Sequence, residues 1–186
     1  MDKVKQIKQQ IKKECKEFGK APVWFFDKHL LGVEKFARKL LERLPEANEE
    51  IVMLGVWLHD LQRIRGIEGD HAKIGAIEAE KVLKKHKYDD KTIRDVKNVI
   101  LAHRCNPNLM PKTIEEKILA SADAMSHYIN NFYINIAVLG ERNTKKYQKW
   151  VLEKLNRDYN KKIHFTFAKK MIRERHNIIK KFITMN

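Results

Sequence analysis

The stretch IVMLGVWLHDLQRI, residues 51–64, is apolar on nearly every side before it reaches a histidine and an aspartate. A helix that is apolar all round is a buried helix. The segment of about 48–64, with Asn48 as its N-cap, is therefore expected to run as one helix through the centre of the molecule. A carboxylate at the end of such a run is costly unless it is paired or bound to a metal. His59 and Asp60 thus bear on both the fold and the chemistry.

Working outward, the helical period recurs along most of the chain. Val4, Ile7, Ile11, Cys15 and Phe18 form one stripe over about 2–18. Leu30, Val33, Ala37, Leu40, Leu41 and Leu44 form another over about 27–44, closed by Pro45. Asp70 is expected to cap a helix through about residue 86, and a further amphipathic helix covers about 90–103. CNPNLMP at 105–111 is a loop. Thr113 starts a helix through Met125 that either continues toward Leu139 or breaks near Tyr128. Two basic helices follow, at about 144–158 and 165–184. No strand, repeat or low-complexity linker stands out. The expected fold is all-α: a single domain over 1–186, with the last two, basic helices packed as a C-terminal extension of about 142–186.

The 186 residues carry a formal net charge of +15, unevenly placed. Residues 21–141 hold 18 basic and 18 acidic side chains, residues 1–20 carry +4, and residues 142–186 carry +11. Such ends suit an anionic partner or a solvated lysine-rich face. No apolar run reaches the ~18 residues of a membrane span, and the lysine-rich start is not a secretory signal. Cys15 and Cys105 make no disulfide framework and read as free thiols of a cytoplasmic protein.

Other polar residues sit where apolar ones are expected. Asp123 lies among the small and apolar residues of ILASADAMSH at 118–127, and His29 lies in HLLGVEKFARKLL at 29–41. His71 follows Asp70 in the segment DHAKIGA at 70–76 and opens its helix, and His103 closes the helix after it. Imidazole and carboxylate together suit divalent transition ions. Neighbouring helix residues project about 100° apart, so His59 and Asp60 converge on one ion only where other helices cross, with His29 and Asp123 as those contributions.

In order and content these segments resemble the HD-domain superfamily of metal-dependent phosphohydrolases. The resemblance covers roughly residues 24–135, and the last 45 or so residues lie outside it. It implies a helical HD-domain fold and a metal held by His29, His59, Asp60 and Asp123. His71, with Gly75 four residues on, and His103 resemble the further histidines of members that bind two ions, in which Asp60 would bridge. By its donor types the ligand set fits manganese, iron, cobalt or nickel as cofactor, one ion or two. Arg63 stands where the HD-GYP phosphodiesterase branch has the lysine of HDxGK. Gln62 replaces that motif's glycine and the tyrosine–proline signature is absent, so a cyclic-dinucleotide assignment is poorly supported.

The expected activity is cleavage of a phosphate ester, of a nucleotide or a related small phosphorylated metabolite, by metal-activated water. Asp60 and Arg63 are the expected catalytic residues, with Arg63, Lys73, His71 and His103 at the substrate. Arg65 and Arg104 are either solvated charges or secondary phosphate contacts, His127 either forms the polar edge of a packed helix or faces the same pocket, and Trp24, Phe25 and Phe26 either pack in the core or floor a pocket. Lys→Ala changes at Lys161 and Lys162 are expected to leave metal and activity intact. Two other readings stand beside this one. The basic C-terminal helices, with Tyr147, Trp150, Tyr159, Phe165 and Phe167 among their lysines, would bind nucleic acid. The six-residue His/Asp set would alternatively hold a di-iron centre for oxidative cleavage.

Overall fold

The computed structural model describes residues 2–17, 20–22, 24–129, 131–134 and 145–185. Phe18, Leu139 and residues 142–144 lie outside the described residues. The order is α1 (Lys3–Glu17), a π-helical turn (Phe25–Leu30) running directly into α2 (Leu31–Leu41), α3 (Glu49–Leu58), α4 (Leu61–Arg65), α5 (His71–Lys85), α6 (Asp90–Ala102), α7 (Ile114–Ile129), α8 (Lys145–Arg157), a second π-helical turn (Asp158–Lys162) and α9 (Thr166–Thr184). Among the described residues there is no strand, only an isolated bridge between Asn106 and Leu109. No helix among them is long and apolar enough to cross a membrane.

The expected central helix is central but not continuous. Every residue of α3 from Ile51 to Leu58 is buried, and Asn48 accepts the Ile51 N–H at its start. The chain then turns at His59 and Asp60, where Asp60 takes φ −111° and ψ 21°, in the sparsely used region favoured at active sites. Helix α4 restarts at Leu61. Hydropathy reports burial, and burial runs unbroken through Leu61 and Ile64, so the pattern hides the break.

The remaining helix starts have local chemical causes. Asp70 accepts the N–H groups of Ala72 and Lys73 and so starts α5 at His71. Asp89 accepts from Thr92 and starts α6. Thr113 and Glu116 exchange side chain-to-backbone hydrogen bonds at the start of α7, a capping box. Helix α7 is the hub: it packs against α2, α3, α6 and the second π-helical turn. Arg65 lies between Glu14 of α1 and Glu78 of α5. It ties three helices together, which removes it from the expected phosphate contacts.

The extension is part of the same core. Ala168, Ile172, Ile179 and Ile183 of α9 are buried, as are Val151 and Leu155 of α8. Tyr128 on α7 donates to the Leu155 carbonyl at 3.2 Å. The aromatic residues among the lysines have packing partners: Tyr159 stacks on His176 with centroids 4.1 Å apart, and Phe165 on Phe167.

Candidate metal centre

Five imidazoles form a row through the middle of the bundle. Ring centroids run His127 to His29 at 5.7 Å, His29 to His59 at 5.5 Å, His59 to His103 at 5.2 Å and His103 to His71 at 5.3 Å. They come from α7, the first π-helical turn, the α3–α4 break, the C-cap of α6 and the first residue of α5. Each origin is a helix end or an irregular turn except that of His127. The wide π-helical turn, closed by the Leu31 N–H to the Phe26 carbonyl, projects His29 inward; such turns recur at functional sites.

Hydrogen bonds fix which nitrogen of each ring is free. His59 Nδ1 lies 3.0 Å from the Val56 carbonyl, and His103 Nδ1 contacts the Ile100 carbonyl. A carbonyl only accepts, so both Nδ1 atoms carry a proton, and each ring in its neutral, ligating form presents the Nε2 lone pair. Ser126 donates its hydroxyl to the Asp123 carbonyl at 2.7 Å. It therefore accepts from His29 Nδ1, 3.3 Å away, which leaves the His29 Nε2 lone pair free as well. Yet His29 Nε2 faces His59 Nε2 at 3.4 Å, Asp60 Oδ2 at 3.2 Å and Asp123 Oδ1 at 3.7 Å. Lone pairs and carboxylate oxygens converge on one point, an arrangement that calls for a cation.

Among the described residues, two groups of side chains have the spacing to hold an ion: His29, His59 and Asp123, all buried, and Asp60, His71 and His103, of which His71 is only partly buried. The His71 and His103 Nε2 atoms are 3.3 Å apart. Asp60 lies between the groups, since its Oδ2 is also 3.5 Å from His59 Nε2. The residues fit a divalent ion by type, by tautomer and by convergence. Burial lowers His103 to about 3, with His59 adding to the effect. Burial also lowers His71 to about 4, against the pull of Asp60. Both rings are therefore neutral, as ligands must be. Burial raises the carboxyls of Asp60 and Asp123, but the imidazoles and cations around them reverse this and hold both well below the usual range: the rings of His59 and His29 with Arg63 for Asp60, and Lys162 with the rings of His127, His29 and His59 for Asp123.

Gly75 has a specific task. A Cβ there would stand 2.9 Å from the His59 carbonyl oxygen. Only glycine lets α5 come this close to the α3–α4 break, and the approach brings His71 to Asp60.

A cavity of about 730 Å³ opens over the centre. Arg63 lines it and pairs with Asp60 Oδ1 at 3.1 Å with half its side chain exposed. Arg104 lines it too, pairing with Asp70 at 2.8 Å. Trp24 is half exposed at the cavity, and Phe25 packs against the His29 ring at 5.0 Å. Phe26 turns into the core against Trp57. His127 lines the cavity instead of forming a helix edge. Lys73 does not line it. Its backbone N–H serves the Asp70 cap, and its side chain is exposed, so the fold does not bring Lys73 to the cavity where a substrate contact was expected. Burial raises the Cys105 thiol to about 11, no setting for a nucleophile.

The extension contributes more than the sequence suggested. Lys154, Arg157 and Lys162 line the cavity. Lys162 is buried with its Nζ 2.6 Å from Asp123 Oδ2, so it is not an exchangeable tail lysine like the exposed Lys161. Asp158 is fully buried and receives hydrogen bonds from Tyr133 and Lys154, each at 2.7 Å, beside His127 Nδ1 at 3.4 Å. Only Asp158 left a trace in the sequence, as one of three acidic residues in the basic stretch 142–186.

A protein-family model described as HD domain matches residues 26–127, more than half of the chain. No curated protein and no solved structure matches it.

Proposed function

Because the chain belongs to the HD-domain family, we propose that it is a metal-dependent phosphohydrolase acting on a small phosphorylated metabolite, with nucleotides as the leading substrate class. The observation that carries this reading is the convergence of free Nε2 lone pairs and carboxylate oxygens beneath a cavity lined by cations. In this reading His29, His59, Asp60 and Asp123 hold one ion, and Asp60, His71 and His103 hold a second. When bound, manganese, iron, cobalt or nickel lowers the pKa of water and polarises a phosphoryl group.

The chain's own groups supply the rest. Asp60 keeps one oxygen on the imidazoles and the other on Arg63. Arg63, half exposed, has guanidinium N–H groups left over for the non-bridging oxygens of a phosphate. Arg104 and Arg157 extend the positive lining, which favours an anionic substrate before any contact is made. Trp24 offers a flat apolar surface beside them.

The test is phosphate release from a panel of nucleotides and phosphoesters. Hydrolysis of at least one compound is expected, abolished by chelation and by Asp60→Ala. No hydrolysis across the panel by metal-loaded protein would contradict the proposal. Oxygen consumption by the iron-loaded protein would favour the oxidative alternative that the same six side chains allow.

A further inference from the structure

The family match ends at His127, but the wall of the cavity does not. Lys162 arrives from the second π-helical turn, beyond the matched region, and is buried against Asp123. Its backbone is held in place. Ser121, two residues before Asp123 on α7, donates to the Lys162 carbonyl at 3.3 Å and accepts the His164 N–H at 3.0 Å. The turn is closed by the Ile163 N–H to the Asp158 carbonyl. Asp158, at the other end of the turn, is held by Tyr133 and Lys154. The ammonium is thus delivered to Asp123 by a segment fixed to the same helix.

The two oxygens of Asp123 have different surroundings. Oδ2 is 2.6 Å from Lys162 Nζ, whereas Oδ1 faces His29 Nε2 at 3.7 Å and His127 Nε2 at 3.9 Å. Resting on the metal-centre reading above, we propose that Lys162 is a resident cation of the centre: a positioning residue that reserves Oδ2, leaves Oδ1 as the single ligating oxygen, and weakens the hold of the site on a divalent ion.

Two consequences of losing Lys162 oppose each other. Asp123 loses an orienting hydrogen bond, which loosens ion binding. The ion also loses a like charge one carboxylate's width away, in a buried setting where screening is weak. The repulsion is between a unit charge and a double one, so it outweighs one hydrogen bond. Affinity rises when Lys162 is neutralised. The extension therefore sets the metal affinity of the family core it is packed against.

The experiment is calorimetric titration of the full-length, metal-stripped protein with manganese. The binding step belonging to the group of His29, His59 and Asp123 is identified by its loss in Asp123→Asn. Lys162→Met is expected to tighten that step at least tenfold, and Lys162→Arg to leave it within threefold. The rise in melting temperature on adding manganese is expected to be larger in Lys162→Met than in the wild type. Lys162→Gln keeps a donor for Oδ2 and removes only the charge. It stands in if the methionine variant does not fold without metal, with the same tenfold expectation. A folded neutral variant that binds manganese no more tightly than the wild type overturns the proposal. A wild type that takes up no manganese, iron, cobalt or nickel overturns the metal-centre reading instead, and this inference falls with it.

Discussion

The two halves of the centre solve the same electrostatic problem with different cations. In the deep half, Asp123 gives one oxygen to the histidine side and the other to Lys162, which is buried. In the shallow half, Asp60 gives one oxygen to His29 and His59 and the other to Arg63, whose side chain is half exposed. A buried ammonium on a pinned turn has nowhere to go, whereas an exposed guanidinium exchanges a carboxylate for a phosphate at little cost. On the proposed function, the difference gives the deep half fixed charge balance and the shallow one the substrate contact.

Asp60 belongs to both halves, so Asp60→Ala is the most damaging change. Loss of phosphoester hydrolysis by about 10³-fold or more is expected, with helical circular dichroism retained. Residual activity within tenfold of wild type would break the idea that the two halves share this side chain. Asp123→Asn comes next. It keeps volume but removes an anionic ligand and leaves Lys162 without its closest carboxylate. Metal-dependent thermal stabilisation is expected to disappear from the deep half. The metal-free protein is expected to lose about 3–5 kcal/mol in urea unfolding, the scale for breaking a buried pair. Unchanged stability would mean that the pair is not formed in solution.

Acid separates the folded from the unfolded chain through His103 and His71. Burial holds His103 down to about 3 and His71 down to about 4 when folded, against about 6.5 in an unfolded chain. Between those values the unfolded state binds more protons. Stability of the metal-free protein therefore falls as pH drops below about 6.5, and the loss is complete once pH has passed the folded values. Urea midpoints followed from pH 7.5 to 5 in chelator check this; a flat profile would contradict it. Gly75→Ala should act on one half alone. The added methyl meets the His59 carbonyl, a backbone atom that cannot step aside, at an expected cost of about 1–3 kcal/mol. His71 should be displaced and the shallow metal step weakened, with the deep step kept. Smallest of all, Arg63→Ala is expected to raise KM several-fold more than it lowers kcat, while Lys73→Ala changes neither.

Much of this was legible in the sequence, for identifiable reasons. Helix starts were readable where a side chain makes the cap, as at Asn48 and Asp70, because capping is local chemistry. The polar residues of the centre stood out because their neighbours are apolar: Asp123 among alanines, and His59 and Asp60 after a buried run. The break between α3 and α4 was not legible, since burial continues across it. Neither π-helical turn was, since a few residues of altered pitch leave no distinct period. Lys162 was hidden by its surroundings, one basic residue among 14 in the stretch 142–186. Sequence gives its charge, but only the fold turns it inward while Lys161 faces solvent.

The most direct measurement is an anomalous difference map from a manganese-soaked crystal of the full chain. The account predicts two peaks: one bonded to His29, His59 and Asp123, the other to His71 and His103, with Asp60 between them and Lys162 still on Asp123 Oδ2. A map with no peak among these six metal-facing side chains would contradict it.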